Sequence, residues 1–124
     1  MDEERERLKV IEAARLFGEL CVDIAQRLPR HAPVSLRTQL ARSSQSISDL
    51  IAEGFGRGTP AEIIHYNEMA GGSLAESQNQ LRRCVNRRLI DKKTFFRPWN
   101  LSVAISRMLE GLTMYFEGKL DEGG

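Results

Sequence analysis

Helical periodicity in four segments, each bounded by proline or glycine, constrains this chain more than any other feature. Apolar residues recur at three- and four-residue spacing in each segment, and nothing alternates like a strand. The segments are about 3–28, 35–54, 60–88 and 94–117. Because the connections are short, sequential helices should be antiparallel neighbours. The sequence therefore predicts an all-α fold, an up-down-up-down antiparallel four-helix bundle that forms a single domain over residues 1–124.

The predicted helix ends follow from local chemistry. Ser35 is a plausible N-cap for the second helix, and Gly54, Gly56 and Gly58 should end it. Thr59, with Pro60 after it and Glu62 three residues on, predicts a capping box at the third helix. The fourth helix should start near 94, with proline 98 in its first turn.

Composition excludes several classes of protein. The 124 residues are 41% hydrophobic, enough for one core, and the formal net charge is only +1. Cys21 and Cys84 lie far apart without a CxxC motif, and the histidines are isolated, so we expect no metal site and no cofactor. The N-terminus is too acidic and polar for a signal peptide, and no apolar run approaches a membrane span. We therefore expect a cytoplasmic protein with no membrane partner.

Apolar and small residues remain outside the core stripes of the helices. Leu8 and Leu16 lie off the stripe of the first helix, and Met69 and Gly72 lie opposite the stripe of the third. Two adjacent glycines at 71 and 72 should cost a helix about 1 kcal/mol each, which suggests that something packs closely there. This surplus favours a homo-oligomer, whereas ordinary scatter of single apolar residues is the alternative.

Basic residues are concentrated near the start of the fourth helix. Between 82 and 97 there are seven Lys or Arg residues and one acid, Asp91, so this segment carries +6 and the rest of the chain −5. Such asymmetry could form a phosphate-binding end, with Arg83 and Arg87 on a common face. The alternative is a solvated helix end whose cations offset the helix dipole.

The glycine-rich run from Gly54 to Gly58 superficially resembles a phosphate-binding loop. A P-loop needs a preceding strand and a Gly-Lys-Ser/Thr ending, and neither is present. A turn that ends a helix is the better interpretation. Arg57 within it could contact a phosphate, or pair with Glu53 or Glu76.

Arg42, Glu53 and Glu76 could form an ionic network between the second and third helices. Paired carboxylates for acid–base chemistry or a di-iron site are the alternative, but di-iron bundles need two Glu-x-x-His motifs. Only Glu62 and His65 have that spacing. No nucleophile–base arrangement is suggested, so we expect no enzymatic activity.

Four strings resemble the family of four-helix-bundle proteins encoded in intervening sequences of bacterial 23S ribosomal RNA genes. That family also includes the accessory variability determinants of diversity-generating retroelements. The strings are Gln39-Leu40-Ala41-Arg42-Ser43, Ser46-Ile47, Leu50-Ile51-Ala52-Glu53-Gly54-Phe55-Gly56-Arg57 and Ala70-Gly71-Gly72-Ser73-Leu74-Ala75-Glu76. Leu50 replaces the family's Asn, and Arg87-Arg88-Leu89-Ile90 replaces its glycine-containing end of the third helix.

The resemblance implies a four-helix bundle that assembles as a homopentamer. Retroelement relatives bind a reverse transcriptase and nucleic acid through basic surfaces, which makes both possible partners by analogy. We therefore expect a non-enzymatic oligomer that binds RNA or DNA through arginines, or, as the alternative, a protein-interaction scaffold. The predicted phosphate contacts are Arg37, Arg42, Arg57, Arg83 and Arg87. The predicted structural and interface residues are Glu53, Gly54, Gly56, Met69, Gly72, Ser73 and Glu76.

Overall fold

A computed structural model describes residues 1–123 and contains four α-helices, with no strand in that range. The helices are α1 (Glu3–Arg27), α2 (Val34–Arg57), α3 (Pro60–Asn86) and α4 (Lys92–Asp121). Each packs on its two neighbours in the cyclic order α1, α2, α3, α4. The predicted all-α, single-domain helical bundle is thereby confirmed.

The antiparallel register is fixed by side-chain hydrogen bonds between neighbouring helices. Along α2 and α3, the amide of Gln80 donates to Gln39 Oε1 at 2.8 Å. The hydroxyls of Ser43 and Ser77 lie 2.8 Å apart, and those of Ser46 and Ser73 lie 2.9 Å apart. As residue numbers rise on α2, their partners' numbers fall on α3. The short serines let these two helices approach closely along a polar seam.

The core is apolar and continuous along the bundle. Phe17, Leu40, Ile47, Leu81 and Ile105 are among its fully buried side chains. Each would be expected to contribute roughly 1.5–3 kcal/mol by leaving water. These residues belong to the four predicted stripes, so periodicity located the core correctly.

The helix ends agree with the predictions at α3 and differ at α2 and α4. Thr59 caps α3, because its Oγ1 accepts a hydrogen bond from the Glu62 N–H at 3.2 Å. Ser35 is not a cap: α2 begins at Val34, after Pro33, and has no side-chain cap. Asp91 caps α4 instead, accepting from the Thr94 N–H at 2.7 Å. This earlier start places Pro98 inside α4 rather than in its first turn.

Gly54 and Gly56 do not end α2, which continues to Arg57. A Cβ on Gly54 would lie 2.7 Å from Tyr66 Cβ, so this position needs glycine because α3 passes directly over it. A Cβ on Gly56 would meet nothing within 4 Å. The helix ends at Gly58, whose φ of 84° is left-handed.

Close packing at Gly71 and Gly72 was expected, and within this chain that expectation is wrong. A Cβ built on either residue has no neighbouring atom within 4 Å. Both face the groove or solvent side of α3, away from the core stripe. The glycines therefore do not serve contacts inside the protomer described here.

Candidate nucleic-acid interface

The fold gathers basic residues from two distant segments at one end of the bundle. The α1–α2 connection and the α3–α4 connection lie at the same end, because the helices alternate in direction. We call segments 24–37 and 82–97 the basic end; together they hold ten Lys or Arg residues and one acid. Its cations are Arg27, Arg30, Arg37, Arg82, Arg83, Arg87, Arg88, Lys92, Lys93 and Arg97. With an excess of +9 there, the remaining residues carry −8, since the chain totals +1.

The opposite end of the bundle is acidic. We call segments 1–9, 53–62 and 117–123 the acidic end; they hold nine Asp or Glu and five Lys or Arg residues. The protein is therefore polarised along its long axis, although its net charge is nearly zero. A field of this shape orients an anionic partner toward one end and repels it from the other.

Arg37, a predicted phosphate contact, has a structural role instead. Its Nη1 donates to the carbonyl oxygens of Ala25 at 2.7 Å and Leu28 at 3.3 Å, and its Nη2 donates to that of Pro29 at 3.2 Å. These carbonyls end α1, where no helical N–H groups remain to satisfy them. Because the guanidinium is partly buried and donates to three carbonyl oxygens, it is already engaged within the fold.

Arg57 lies at the wrong end of the bundle for the same purpose. Its guanidinium pairs with Glu53 at 3.2 Å, one of the two partners predicted as alternatives, and with Glu62 at 3.3 Å, which was not predicted. The nearby Tyr66, followed by these two carboxylates, raises the pKa of Arg57 above its ordinary value. The twenty residues of α2 between Arg37 and Arg57 span roughly 30 Å. The five predicted arginines therefore do not form one surface.

Arg83 and Arg87 remain the strongest of the predicted contacts. Both are exposed in the last turn of α3 and its cap, and within residues 1–123 neither side chain is in an ion pair. Arg42 is also exposed and unpaired in the described part of the chain, but it lies on the α2–α3 face rather than at the basic end. Arg83 and Arg87 are four residues apart and so present their charges side by side.

The predicted network of Arg42, Glu53 and Glu76 is not formed in the protomer. Glu53 pairs with Arg57, and in residues 1–123 no basic group lies within 4.0 Å of the Glu76 carboxylate. Arg42 and Glu76 each adjoin the Ser43–Ser77 hydrogen bond, so they lie at the same level of the α2–α3 face. The polar seam sets the helix register there, and charge pairing is not needed for it.

The other predicted structural residues have separate surroundings. Ser73 is partly buried in the α2–α3 seam, whereas Met69 is 42% exposed and Gly72 is exposed. Met69, Gly72 and Glu76 fall at three- and four-residue spacing on the outer side of α3, in line with Arg83 and Arg87. This stripe, from Met69 to Arg87, gives α3 a continuous solvent-facing side.

Sequence reasoning missed Arg27 and Arg30, which join the basic end from the α1–α2 connection. It also missed the aromatic residues Phe95, Phe96 and Trp99 among the cations that begin α4. The place of Arg27 and Arg30 could have been predicted, because antiparallel helices bring alternate connections to the same end. The aromatic residues could have been noted from the run 92–99, which is aromatic as well as basic.

Chemistry other than charge recognition has little support in the described residues. Among residues 1–123, no three His, Cys, Asp or Glu side chains come together as metal ligands would. Burial raises the pKa of Cys21 to about 12, and burial also raises that of Cys84, which keeps both thiols protonated and weakly nucleophilic. In the same range, no helix combines the length and apolar character that a membrane span requires.

Comparison with known proteins identifies the family. A family model described as "23S rRNA-intervening sequence protein" matches residues 6–111. The chain belongs to this family. Its fold is similar to the crystal structure of a protein of unknown function from the S23 ribosomal protein family of Bacteroides thetaiotaomicron VPI-5482. The TM-score is 0.79 at 20% sequence identity, covering 84% of this chain and 97% of that one. No curated protein matches this chain.

The family match extends over α1, α2, α3 and most of α4. It includes the basic end, the α2–α3 seam and every residue predicted from the resemblance. Membership in the 23S rRNA-intervening sequence protein family confirms the resemblance seen in the sequence strings. The likeness to accessory variability determinants of retroelements remains a prediction.

Proposed function

We propose that this protein is a non-enzymatic homo-oligomer that binds RNA or DNA through phosphate contacts at its basic end. The observation that carries the proposal is the gathering there of ten cations against one acid. Arg37 donates to backbone carbonyls and Arg27 pairs with Asp23 at 3.0 Å, which leaves eight cations that make neither kind of contact in the described structure. Unpaired cations clustered on one surface release counterions from a phosphate backbone, which is the main source of sequence-independent affinity.

Arg83 and Arg87 are central to this proposal, and Arg30, Arg88 and Lys92 extend the surface around them. They act on phosphates and carry no base specificity of their own. When salt is raised from about 50 to about 200 mM, every few phosphate contacts should lower the affinity by roughly tenfold or more.

The test is a titration of a fluorescently labelled RNA stem-loop followed by anisotropy at both salt concentrations. Replacing Arg83 and Arg87 together by alanine should weaken binding at low salt. It should also reduce the slope of log affinity against log salt concentration by the contribution of about two phosphate contacts. The control is Arg15→Ala with Arg107→Ala, which removes the same charge from exposed positions on the sides of the bundle. Equal loss in both double variants would show that net charge, rather than the basic end, governs binding.

Self-association is supported by the outer stripe of α3. Met69 is 42% exposed, and the open space at Gly71 and Gly72 admits another helix where the protomer itself supplies none. Glycine in a helix costs about 1 kcal/mol relative to alanine, so two adjacent ones are favoured where a second backbone must approach. Five copies is the number that the family resemblance implies. A ring of copies would repeat the basic end around its axis and multiply its charge.

Gly72→Leu tests this interface by analytical ultracentrifugation. The added side chain should lower the oligomer's mass without unfolding the protomer, because Gly72 is exposed and a Cβ there would meet nothing within 4 Å. Gly111→Leu on α4 is the matched control, since it too is open within 4 Å. An unchanged mass for Gly72→Leu would exclude this stripe from the interface.

A protein-interaction scaffold without nucleic-acid contact is the second candidate. It is favoured by exposed apolar side chains outside the α3 stripe, since Leu8 is 55% and Leu16 is 42% exposed. By analogy with the retroelement relatives, its partner would be a reverse transcriptase. Absence of RNA and DNA binding at low salt would favour this candidate over the first.

A further inference from the structure

The N-terminal part of α4 presents an aromatic ring among cations. Phe96 is 50% exposed, whereas its neighbour Phe95 is buried at 8%. Lys92 and Lys93 precede the ring by about one helical turn, Arg97 follows it, and all three are exposed. The ring therefore offers an accessible aromatic face within a basic surface.

The ring of Phe96 belongs to a rigid aromatic cluster. Its centroid lies 5.2 Å from that of Phe95, nearly edge to face at 77°. Phe95 in turn stacks on Trp99, with centroids 5.2 Å apart and planes 20° apart. The guanidinium of Arg82 lies over the other side of the stack, 4.6 Å from the Trp99 centroid. The cluster joins α3 and α4, and Phe96 is its exposed member.

We infer that the basic end binds unpaired nucleotides, with one base stacked on Phe96 and the flanking phosphates held by Lys92, Lys93 and Arg97. This inference rests on the proposed nucleic-acid function and narrows it to single strands. A duplex offers side chains its backbone and groove edges, whereas a single strand offers base faces that stack on aromatic rings. Side chains four apart on a helix are neighbours, which places Lys92 beside Phe96 and Lys93 beside Arg97.

The geometry also favours a base over a general apolar partner. The exposed aromatic is a single ring with four cations around its cluster, Arg82 included, and only one acid, Asp91, in the same segment. Hydrogen bonds from Thr94 lower the pKa of Asp91, and its carboxylate is already used as the α4 cap. Asp23 lies beside Lys93 and Arg97 and pairs with Arg27 at 3.0 Å, so the cations at this site outnumber the nearby acids.

The experiment titrates the full-length protein with an unlabelled oligouridylate of about 12 nucleotides, within the usual range for one single-strand site. The DNA oligomer of equivalent sequence and the oligouridylate–oligoadenylate duplex are titrated in parallel. Trp99 is the chain's one tryptophan and lies in the aromatic cluster, so its emission reports occupation of this surface. The variants are Phe96→Ala, Phe96→Tyr, which keeps the ring, and Phe96→Leu, which keeps apolar bulk without it. Met114→Ala, a 66%-exposed side chain further along α4, is the control.

The expected result is tighter binding of the single strands than of the duplex, with a change in Trp99 emission. Phe96→Ala and Phe96→Leu should then weaken single-strand binding by roughly tenfold, while Phe96→Tyr and Met114→Ala bind like the parent. A preference for RNA over DNA would locate contacts to the 2′-hydroxyl at the same site.

Three results would overturn the inference. Equal affinity for duplex and single strand in parent and Phe96→Ala would leave phosphate binding at the basic end intact but remove the stacking site. No binding to any of the three nucleic acids at low salt would reject the proposed function together with the inference. A change in oligomer mass for Phe96→Ala would assign the ring to a subunit interface.

Discussion

The α2–α3 turn and the α3–α4 turn join similar pairs of antiparallel helices, yet their chemistry differs. In the first turn, Gly58 takes the left-handed position at φ 84°, and Thr59 then caps the next helix. In the second, Arg88 takes that position at φ 58°, the one non-glycine residue with positive φ in residues 1–123. The first turn is closed by the Gly58 N–H, which donates to the Gly54 carbonyl at 3.3 Å, and the second by the Leu89 N–H, which donates to the Cys84 carbonyl at 2.9 Å.

The charges around the two turns differ in the same sense. At the first turn, Arg57 pairs with two carboxylates, so the charged groups satisfy one another. Around the second turn the cations outnumber Asp91 seven to one. One turn has the residues that folding alone would favour, and the other keeps a strained arginine and unneutralised charge. Local chemistry therefore stabilises the first turn more than the second.

The largest expected effect concerns the approach to the first turn. Gly54→Ala should destabilise the protein by about 1–3 kcal/mol, because the new methyl group overlaps Tyr66 Cβ and α3 must shift. Gly56→Ala, two residues later and open within 4 Å, should instead stabilise by about 0.5–1 kcal/mol. Urea unfolding followed by circular dichroism measures both. Similar stabilities for the two variants would mean that α3 does not pass closely over Gly54.

The second expected effect exchanges the two left-handed residues. Gly58→Ala should cost about 1–2 kcal/mol, since an L-residue is strained at positive φ. Arg88→Gly should stabilise by about 0.5–1 kcal/mol for the converse reason, less the backbone entropy of glycine. The same unfolding experiment applies, with nucleic-acid affinity measured beside it. If Arg88→Gly were destabilising, the arginine side chain would be contributing to the fold and the contrast between the turns would fail.

The sequence predicted what depends on neighbouring residues. The four core stripes and the Thr59 cap follow from spacing within one helix, and both were correct. The concentration of charge between 82 and 97 was also visible in the sequence. Gly54 was singled out correctly but for the wrong reason, because the approach of Tyr66 is a contact between helices that no local pattern encodes.

The remaining features depend on contacts between segments distant in sequence. Arg37 resembled a free surface cation, and only its reach to the end of α1 shows that its charge is occupied. Arg30 lies in the α1–α2 connection, which the alternating helix directions bring to the same end of the bundle as the α3–α4 turn. The glycines at 71 and 72 were expected to mark close packing, but a Cβ built on either one meets nothing within 4 Å in this chain.

The third effect concerns the two buried thiols, Cys21 and Cys84. Burial raises the pKa of Cys21 to about 12, from 9.0 for an unperturbed thiol. Stability from this group is complete below about pH 9 and falls as pH rises toward 12, because the unfolded chain ionises first. Between about pH 8 and about pH 10, the parent should lose roughly 1 kcal/mol more than Cys21→Ala. An equal loss in both proteins would mean that Cys21 is not the group responsible.

Cys84 serves as the internal control for that comparison. Burial raises its pKa too, but the Arg87 cation opposes the rise. Cys84 should therefore react faster than Cys21 with a small thiol reagent, and Arg87→Ala should slow that reaction. An unaltered rate would show that the field of the basic end does not reach into the core.

The smallest effect tests whether the basic end opposes folding. Arg83 and Arg87 are like charges four apart on a helix, a pairing that costs about 0.2–0.5 kcal/mol when unscreened. Raising salt from about 50 to about 200 mM shortens the screening length to well under the width of the bundle end. The parent's free energy of unfolding should therefore rise by about a few tenths of a kcal/mol. Arg83→Ala with Arg87→Ala should gain less, as thermal unfolding at the two salt concentrations would show.

The acidic end should respond to salt in the opposite direction. Arg57 attracts two carboxylates at this end, and salt weakens those pairs by screening. Because Arg57→Ala lacks the pairs, salt should stabilise this variant more than it stabilises the parent. Opposite signs at the two ends would confirm that one set of charges is matched within the fold and the other is not. If salt did not change the stability of the parent or of either variant, the charges of the basic end would already be neutralised within the fold. The physical reason for expecting a phosphate backbone there would then be lost.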